Sequence, residues 1–242
     1  GTRKHGVSLR VWDVNTGAEL LAKQAEESSF RSAIFSADGR QIITGDTNGQ
    51  IKFHDAATGQ LLKTFVGGPG EIIHLACSRD GRWLATGSTE QGVTIWEMAT
   101  GRPQYLHTLP APVLGLAFAP DGNRLAAVGV DRRIDFWDAA TNRNSVSFRS
   151  PDPPGDAFAA LAFTPDGQQL LVTQDDLLLV LDSVTGHEQR RLAAHAKEIT
   201  ALAFSPEGKR LITTGDDRTV RLWDWMHWHE LATFRTEVNP VA

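Results

Sequence analysis

Three residues of this 242-residue chain have the types that hydroxyl-based nucleophilic chemistry needs. Thr213 could supply the hydroxyl, His195 the base and Asp217 the carboxylate that orients it. A second candidate is the pair His227 and His229, which flank Trp228 in WMHWHE. Residues two apart on a strand share a face, so both imidazoles could reach one metal ion. No third ligand stands at a fixed spacing and Glu230 points the other way, so the expectation is an amphipathic outer strand and no metal. Trp225 and Trp228 could instead anchor a partner, because aromatic residues dominate interface energetics. The GGPG stretch Gly67–Gly70 lacks the lysine and following helix of a phosphate cradle and reads as a turn. The Asp-Asp pairs at 175–176 and 216–217 suggest calcium only until one acid of each pair is aligned with a recurring turn. Arg132 and Arg133 form a small basic spot that reads as solvated.

The elements that must hold these residues are repeated. Six blocks, LRVWDVNTG, IKFHDAATG, VTIWEMATG, IDFWDAATN, LLVLDSVTG and VRLWDWMHW, end in a tryptophan-aspartate pair or a worn version of it. Their acids are Asp13, Asp55, Glu97, Asp138, Asp182 and Asp224, at intervals of 42, 42, 41, 44 and 42. A second landmark keeps the same step: FSADG, CSRDG, FAPDG, FTPDG and FSPEG, with acids Asp38, Asp80, Asp121, Asp166 and Glu207. Two markers with one such period indicate four-stranded units of the propeller-blade kind. In the last unit Ile199–Phe204, Arg210–Thr214, Thr219–Asp224 and a weaker run near Glu230–Phe234 read as strands. No stretch sustains helical periodicity, so helices should be scarce. The mapping gives five complete blades near 29–66, 70–109, 112–149, 157–193 and 198–235, and a half-blade at 6–23. The proline-rich stretch Ser150–Phe158 reads as a longer loop between blades rather than a domain boundary.

Composition narrows the function classes. Hydrophobic residues make up 41% of the chain, enough for a packed core, and 24 basic against 29 acidic residues give a formal net charge of -5. Phosphate-binding surfaces usually show a basic stripe, so nucleic acid is not an expected partner. Cys77, the lone cysteine, replaces a strand phenylalanine in its repeat and reads as a small buried apolar residue. The longest aliphatic run, Leu177–Leu181, is too short to span a membrane as a helix. With no signal sequence visible, these points favour a reducing, cytoplasmic setting and no membrane.

On these blocks the chain resembles the WD-repeat β-propellers. The resemblance covers nearly its whole length. It implies an all-β fold, a β-propeller of four-stranded antiparallel blades. It also implies that a blade is locked by a hydrogen-bonded set of His, Ser or Thr, Asp and Trp. The last blade carries all four, at His195, Thr213, Asp217 and Trp223, so the structural role is expected there and catalysis is not. The other blades depart from the set. The first full blade has His54 for the tryptophan and Asn48 for the acid; the second keeps Thr86 and Trp96 but has Glu90 and Gly68. The third keeps Asp131 and Trp137 with Ala127 and Leu109; the fourth keeps Asp175, has Leu181 for the tryptophan and has lost the hydroxyl. Most blades are then held by apolar packing between sheets.

The resemblance further implies a binding rim formed by the lead-in to each first strand and the turn between second and third strands. The lead-in positions are Ser29, Glu71, Pro112, Ala157 and Glu198, and the turn positions are Thr47, Thr89, Val130, Gln174 and Asp216. Their differing chemistry suits protein or peptide partners better than a repetitive polymer. The unpaired half-blade suggests part of a larger, typically seven-bladed ring continuous with further blades or domains; a six-bladed ring completed by the carboxyl tail is the alternative. The expected function is a non-catalytic scaffold with no cofactor. A regulatory sensor domain of a larger protein (a kinase, protease or nucleotide-binding switch) is the alternative, and a propeller enzyme with a channel-mouth active site ranks third.

Overall fold

The computed structural model of the chain describes residues 8–24, 28–90, 92–107, 109, 112–141, 144–149 and 158–237. These form 22 strands, and no helix occurs among the described residues. A two-stranded sheet, β1 (Ser8–Trp12) and β2 (Glu19–Gln24), comes first. Five four-stranded antiparallel sheets follow, each with its strands adjacent in chain order. They are β3 (Phe30–Phe35), β4 (Gln41–Asp46), β5 (Gln50–Asp55), β6 (Leu61–Val66); then β7 (Ile72–Cys77), β8 (Trp83–Ser88), β9 (Gly92–Glu97), β10 (Arg102–His107). The third sheet is β11 (Val113–Phe118), β12 (Arg124–Gly129), β13 (Arg133–Asp138), β14 (Asn144–Arg149). The fourth is β15 (Phe158–Phe163), β16 (Gln169–Gln174), β17 (Leu177–Asp182), β18 (Glu188–Ala193). The last is β19 (Ile199–Phe204), β20 (Leu211–Gly215), β21 (Thr219–Asp224), β22 (His229–Arg235). The chain divides into two compact units, Gly1–Val113 and Leu114–Ala242.

The second and third strands read as nearly unbroken apolar runs because both of their faces are covered. In the second unit Leu170, Val172, Leu179 and Leu181 point into a core shared with Val128, Ile134 and Phe136 of the preceding sheet. Their sequence neighbours Leu171, Leu178 and Val180 point into the opposite core, with Ile199, Leu211 and Trp223 of the following sheet. Alternate side chains of a strand face opposite ways, so a strand sandwiched between two sheets must be apolar at every position. The first unit repeats the scheme, with Ile43, Ile51 and Phe53 packed against Ile72, Leu75, Leu84 and Trp96. The fourth strands contribute less: β6, β18 and β22 are mostly exposed, and Phe65 of β6 and Leu192 of β18 are partly buried against these cores.

Aspartates set the turns. Between first and second strands Asp38 accepts the Ser36 hydroxyl (2.6 Å) and the Arg40 amide (3.1 Å), and Asp80 and Asp166 repeat the arrangement. The motif acids cap the turn between third and fourth strands. Asp13, Asp55 and Asp182 each accept the amide and the hydroxyl of the threonine three residues on, at 2.8–3.0 Å. The register slips just before the tryptophan position in each of these hairpins, for example between Phe53 and His54 and between Leu222 and Trp223. That bulge increases local twist.

Candidate functional site

In the last sheet, His195, Thr213, Asp217 and Trp223 meet in one chain of hydrogen bonds. The Trp223 indole N–H donates to the Thr213 hydroxyl oxygen (2.9 Å), and that hydroxyl lies 2.7 Å from His195 Nε2. His195 Nδ1 lies 3.1 Å from Asp217 Oδ1, which also accepts the Thr219 hydroxyl (2.6 Å) and amide (3.0 Å). The Ala196 amide donates to the other carboxylate oxygen at 3.0 Å. The Asp217 carboxylate can only accept, so Nδ1 carries the ring proton toward it, and Nε2 of the neutral ring then accepts the Thr213 hydroxyl proton. Burial, opposed by Asp217, holds His195 below the ordinary histidine pKa, which favours this neutral tautomer. Burial pushes the Asp217 carboxyl up. The Ala196 amide, the Thr219 hydroxyl and His195 outweigh burial and hold it well below the carboxylate range. His195 is 5% exposed and Thr213 is fully buried. The protons are arranged as in a hydroxyl–base–acid series, but the Thr213 oxygen is fully buried and accepts the indole N–H, so it is a junction between strands rather than a nucleophile open to a substrate.

Elsewhere the set is rebuilt from other residues. In the second full sheet Trp96 donates to Thr86 at 3.0 Å, the same indole–hydroxyl bond as in the last. In the first, His54 takes the tryptophan's place and reaches Thr44 (3.4 Å) and Lys23 (3.3 Å). Asn48 is not the polar centre there. Asp46, two residues earlier and fully buried, accepts the Ser28 hydroxyl (2.7 Å), the Asn48 and Gln50 amides (2.9 Å each) and pairs with Lys52 at 3.0 Å. Burial raises its carboxyl, and the Ser28 hydroxyl, the Gln50 amide and Lys52 together hold it below the ordinary range. The register explains the exchange, since Gly45 pairs with Ile51 as Thr214 pairs with Val220, which puts Asp46 where the last sheet has Gly215. A Cβ on Gly215 would stand 2.7 Å from His195 Nδ1, so that position hosts either the histidine's clearance or a side chain of its own. In the third sheet Asp135, 2% exposed, is a further buried acid that the motif spacing did not flag. It pairs with Arg133 at 2.8 Å and accepts the Ser147 hydroxyl, so Arg133 is not a solvated basic residue.

The lead-in and turn positions are brought together at one edge in three sheets. The Thr47 amide donates to the Ser29 carbonyl (3.1 Å), Thr89 to Glu71 (3.1 Å) and Asp216 to Glu198 (2.8 Å). The threonine hydroxyls reciprocate, accepting the Ser29 and Glu71 amides at 3.2 and 3.0 Å. Pro112, Thr89, Val130 and Glu198 are exposed, and Ser29, Thr47, Glu71 and Asp216 are half-buried. Glu71 is gripped by Arg31 through two nitrogens, at 2.7 and 3.2 Å. Gln174 is a correction: it is 3% exposed and lies inside the sheet stack, because its turn is only two residues long. Ala157 lies outside the described residues.

The remaining candidates resolve as follows. The glycines of Gly67–Gly70 fit against a neighbouring turn: a Cβ on Gly49, whose φ is +73°, would stand 2.2 Å from the Gly68 carbonyl. Asp175 and Asp176 use their backbone carbonyls to accept the Ile199, Ala194 and His195 amides. Cys77 is half-buried rather than buried, and burial pushes its thiol up, away from the reactive thiolate. For His227 and His229 the structure supplies the missing third donor. One ligand atom from each of Asp224, His227 and His229 lies within 4.8 Å of the others. Sequence spacing hid it because Asp224 is also a turn cap.

A family model described as "WD domain, G-beta repeat" matches residues 59–97, 103–138 and 186–224. Among curated proteins, WD repeat-containing protein 82 of Drosophila melanogaster is 32% identical over 96 residues, which is 38% of this chain and 30% of that protein. The APC/C activator protein CDC20 of Saccharomyces cerevisiae is 29% identical over 103 residues, 42% of this chain and 17% of that protein. The chain therefore spans less than a third of either relative. A chain in the crystal structure of a mitotic checkpoint complex superposes with a TM-score of 0.83 at 21% identity, covering 96% of this chain and 73% of that one. The four-stranded sheets, the repeated turns and these matches agree: the chain carries WD repeats and has the fold of the WD-repeat β-propellers.

Proposed function

We propose that the chain is a non-catalytic interaction module, which presents the edge formed by its lead-in segments and second-to-third strand turns to protein or peptide partners. The observation that carries this reading is the tying of Ser29 to Thr47, Glu71 to Thr89 and Glu198 to Asp216, which fixes side chains of differing chemistry at the same edge of each of three sheets. A rigid, irregular edge loses little conformational entropy on binding and discriminates by local chemistry. The His195–Asp217–Thr213 set supports the same reading, because its hydroxyl is fully buried and its oxygen is taken up by the Trp223 indole. A net charge of -5 speaks for protein rather than nucleic acid as the partner class, and a lone cysteine supports a reducing, cytoplasmic compartment.

A second reading, a sensor domain within a larger protein, is favoured by the matches to short stretches of longer chains. The test is selection of displayed peptides against the chain, followed by binding of the selected peptides to Glu198→Lys and Val130→Asp. Loss of binding in both, with wild-type melting curves, supports the edge. Unchanged binding moves the surface elsewhere.

A further inference from the structure

The last repeat breaks its own turn rule in a way that assembles metal donors. In five of the six repeats the motif acid is followed three residues on by threonine (Thr16, Thr58, Thr100, Thr141, Thr185). The next residue is Gly17, Gly59, Gly101, Asn142 or Gly186, and those glycines have φ between +67° and +72°. The last repeat keeps the turn: Asp224 Oδ1 still accepts the amides of Met226 (3.1 Å) and His227 (3.3 Å). It replaces the threonine by His227 and the glycine by Trp228, which is held at φ +54°. A bulky residue in that region is strained, and four of the other five repeats place glycine there.

The exchange has a local result. Where threonine gave its hydroxyl to the acid, the His227 imidazole now lies with Nδ1 3.1 Å from Asp224 Oδ2. His229, the first residue of β22, pairs with Asp224 in the strand register, and the two imidazole centroids are 6.2 Å apart. The turn is pinned from both sides. Trp225 donates to the Gly208 carbonyl at 2.8 Å and packs edge-on against Phe204, and Trp228 lies under the Arg190 guanidinium at 5.8 Å. Anchoring the backbone this way pre-organises the side chains it carries.

We propose that Asp224, His227 and His229 bind a divalent transition-metal ion of the zinc class. Two imidazole nitrogens and one carboxylate oxygen suit zinc, nickel or copper, whereas calcium and magnesium prefer all-oxygen sets. Three protein ligands leave a position open to water or to a partner's side chain. Bonds of about 2.0–2.2 Å to a shared ion put the donors about 3.3 Å from one another; Asp224 Oδ2 and His227 Nδ1 already stand 3.1 Å apart, and the widest separation, within 4.8 Å, closes by at most about 1.5 Å. His227, whose side chain is 74% exposed, is free to turn that far. The Arg210 guanidinium stands 3.8 Å from Asp224 Oδ2; at that length the pair is weak, and its exposed arginine can swing away for a divalent ion.

The test is calorimetric titration of the chain with Zn²⁺, paired with the visible spectrum of the Co²⁺-loaded protein. One equivalent should bind and raise the melting temperature. His227→Ala and His229→Ala should each weaken binding at least tenfold, about the minimum expected for a direct ligand. The double variant His227→Thr/Trp228→Gly restores the ordinary turn, so it should fold at least as well and bind no more than a residual amount. Absence of Zn²⁺ binding in the wild-type chain, or equal affinity in that double variant, would overturn the site.

Discussion

At the residue scale, polar atoms buried between strands are satisfied by whatever partners the register brings. Trp223→Phe keeps the ring and removes one donor to Thr213, so a urea melt should show a loss of about 1 kcal/mol. Asp46→Asn strips the charge that serves Ser28, two amides and Lys52; the same measurement should give about 2–3 kcal/mol, the larger because the site is fully buried. These two residues also mark how far sequence reasoning reaches. The four lock residues of the last sheet are legible because they stand at the family's spacing. Asp46 is not, since only the strand pairing shows that it occupies the place of Gly215 and that no histidine competes for it. Asp224 as a metal donor is hidden for a related reason: one residue serves the turn with one oxygen and faces His227 with the other.

At the scale of the element, strands two and three of each sheet carry stability and the fourth strands carry little. Leu179 is fully buried in β17 between two sheets, so Leu179→Ala should cost about 3 kcal/mol in denaturant unfolding. Leu62, 48% exposed at the bulge of β6, should tolerate alanine within about 0.5 kcal/mol. Comparable losses at both positions would mean that the outer strands are covered. The alternation of Leu170 and Val172 toward one core and Leu171 toward the other is readable from the sequence as an unbroken apolar run. The interior place of Gln174 is not readable, because it depends on a turn one residue shorter than in the last sheet.

At the scale of the whole molecule, both units contain histidines held neutral. Burial lowers the pKa of His54 and His74 in the first unit and of His195 in the second from the ordinary 6.5. The unfolded chain takes up these protons near pH 6.5 and the folded chain does not. Stability is therefore full above that pH and declines as the pH falls below it. Asp46 and Asp217 have lowered carboxyl pKa values, so their contribution persists until the pH drops below the ordinary 3.8 toward their folded values. Melting temperatures should hold steady from pH 8 to 7 and fall from pH 6.5 to 5; a rise over that acid range would contradict the neutral assignment.

The measurement that tests the interaction reading most directly is hydrogen exchange of the chain with and without a selected peptide. Added protection is expected at the tied segments around Ser29 and Thr47, Glu71 and Thr89, and Glu198 and Asp216, with β6, β18 and β22 unchanged. Protection confined to those fourth strands would contradict it.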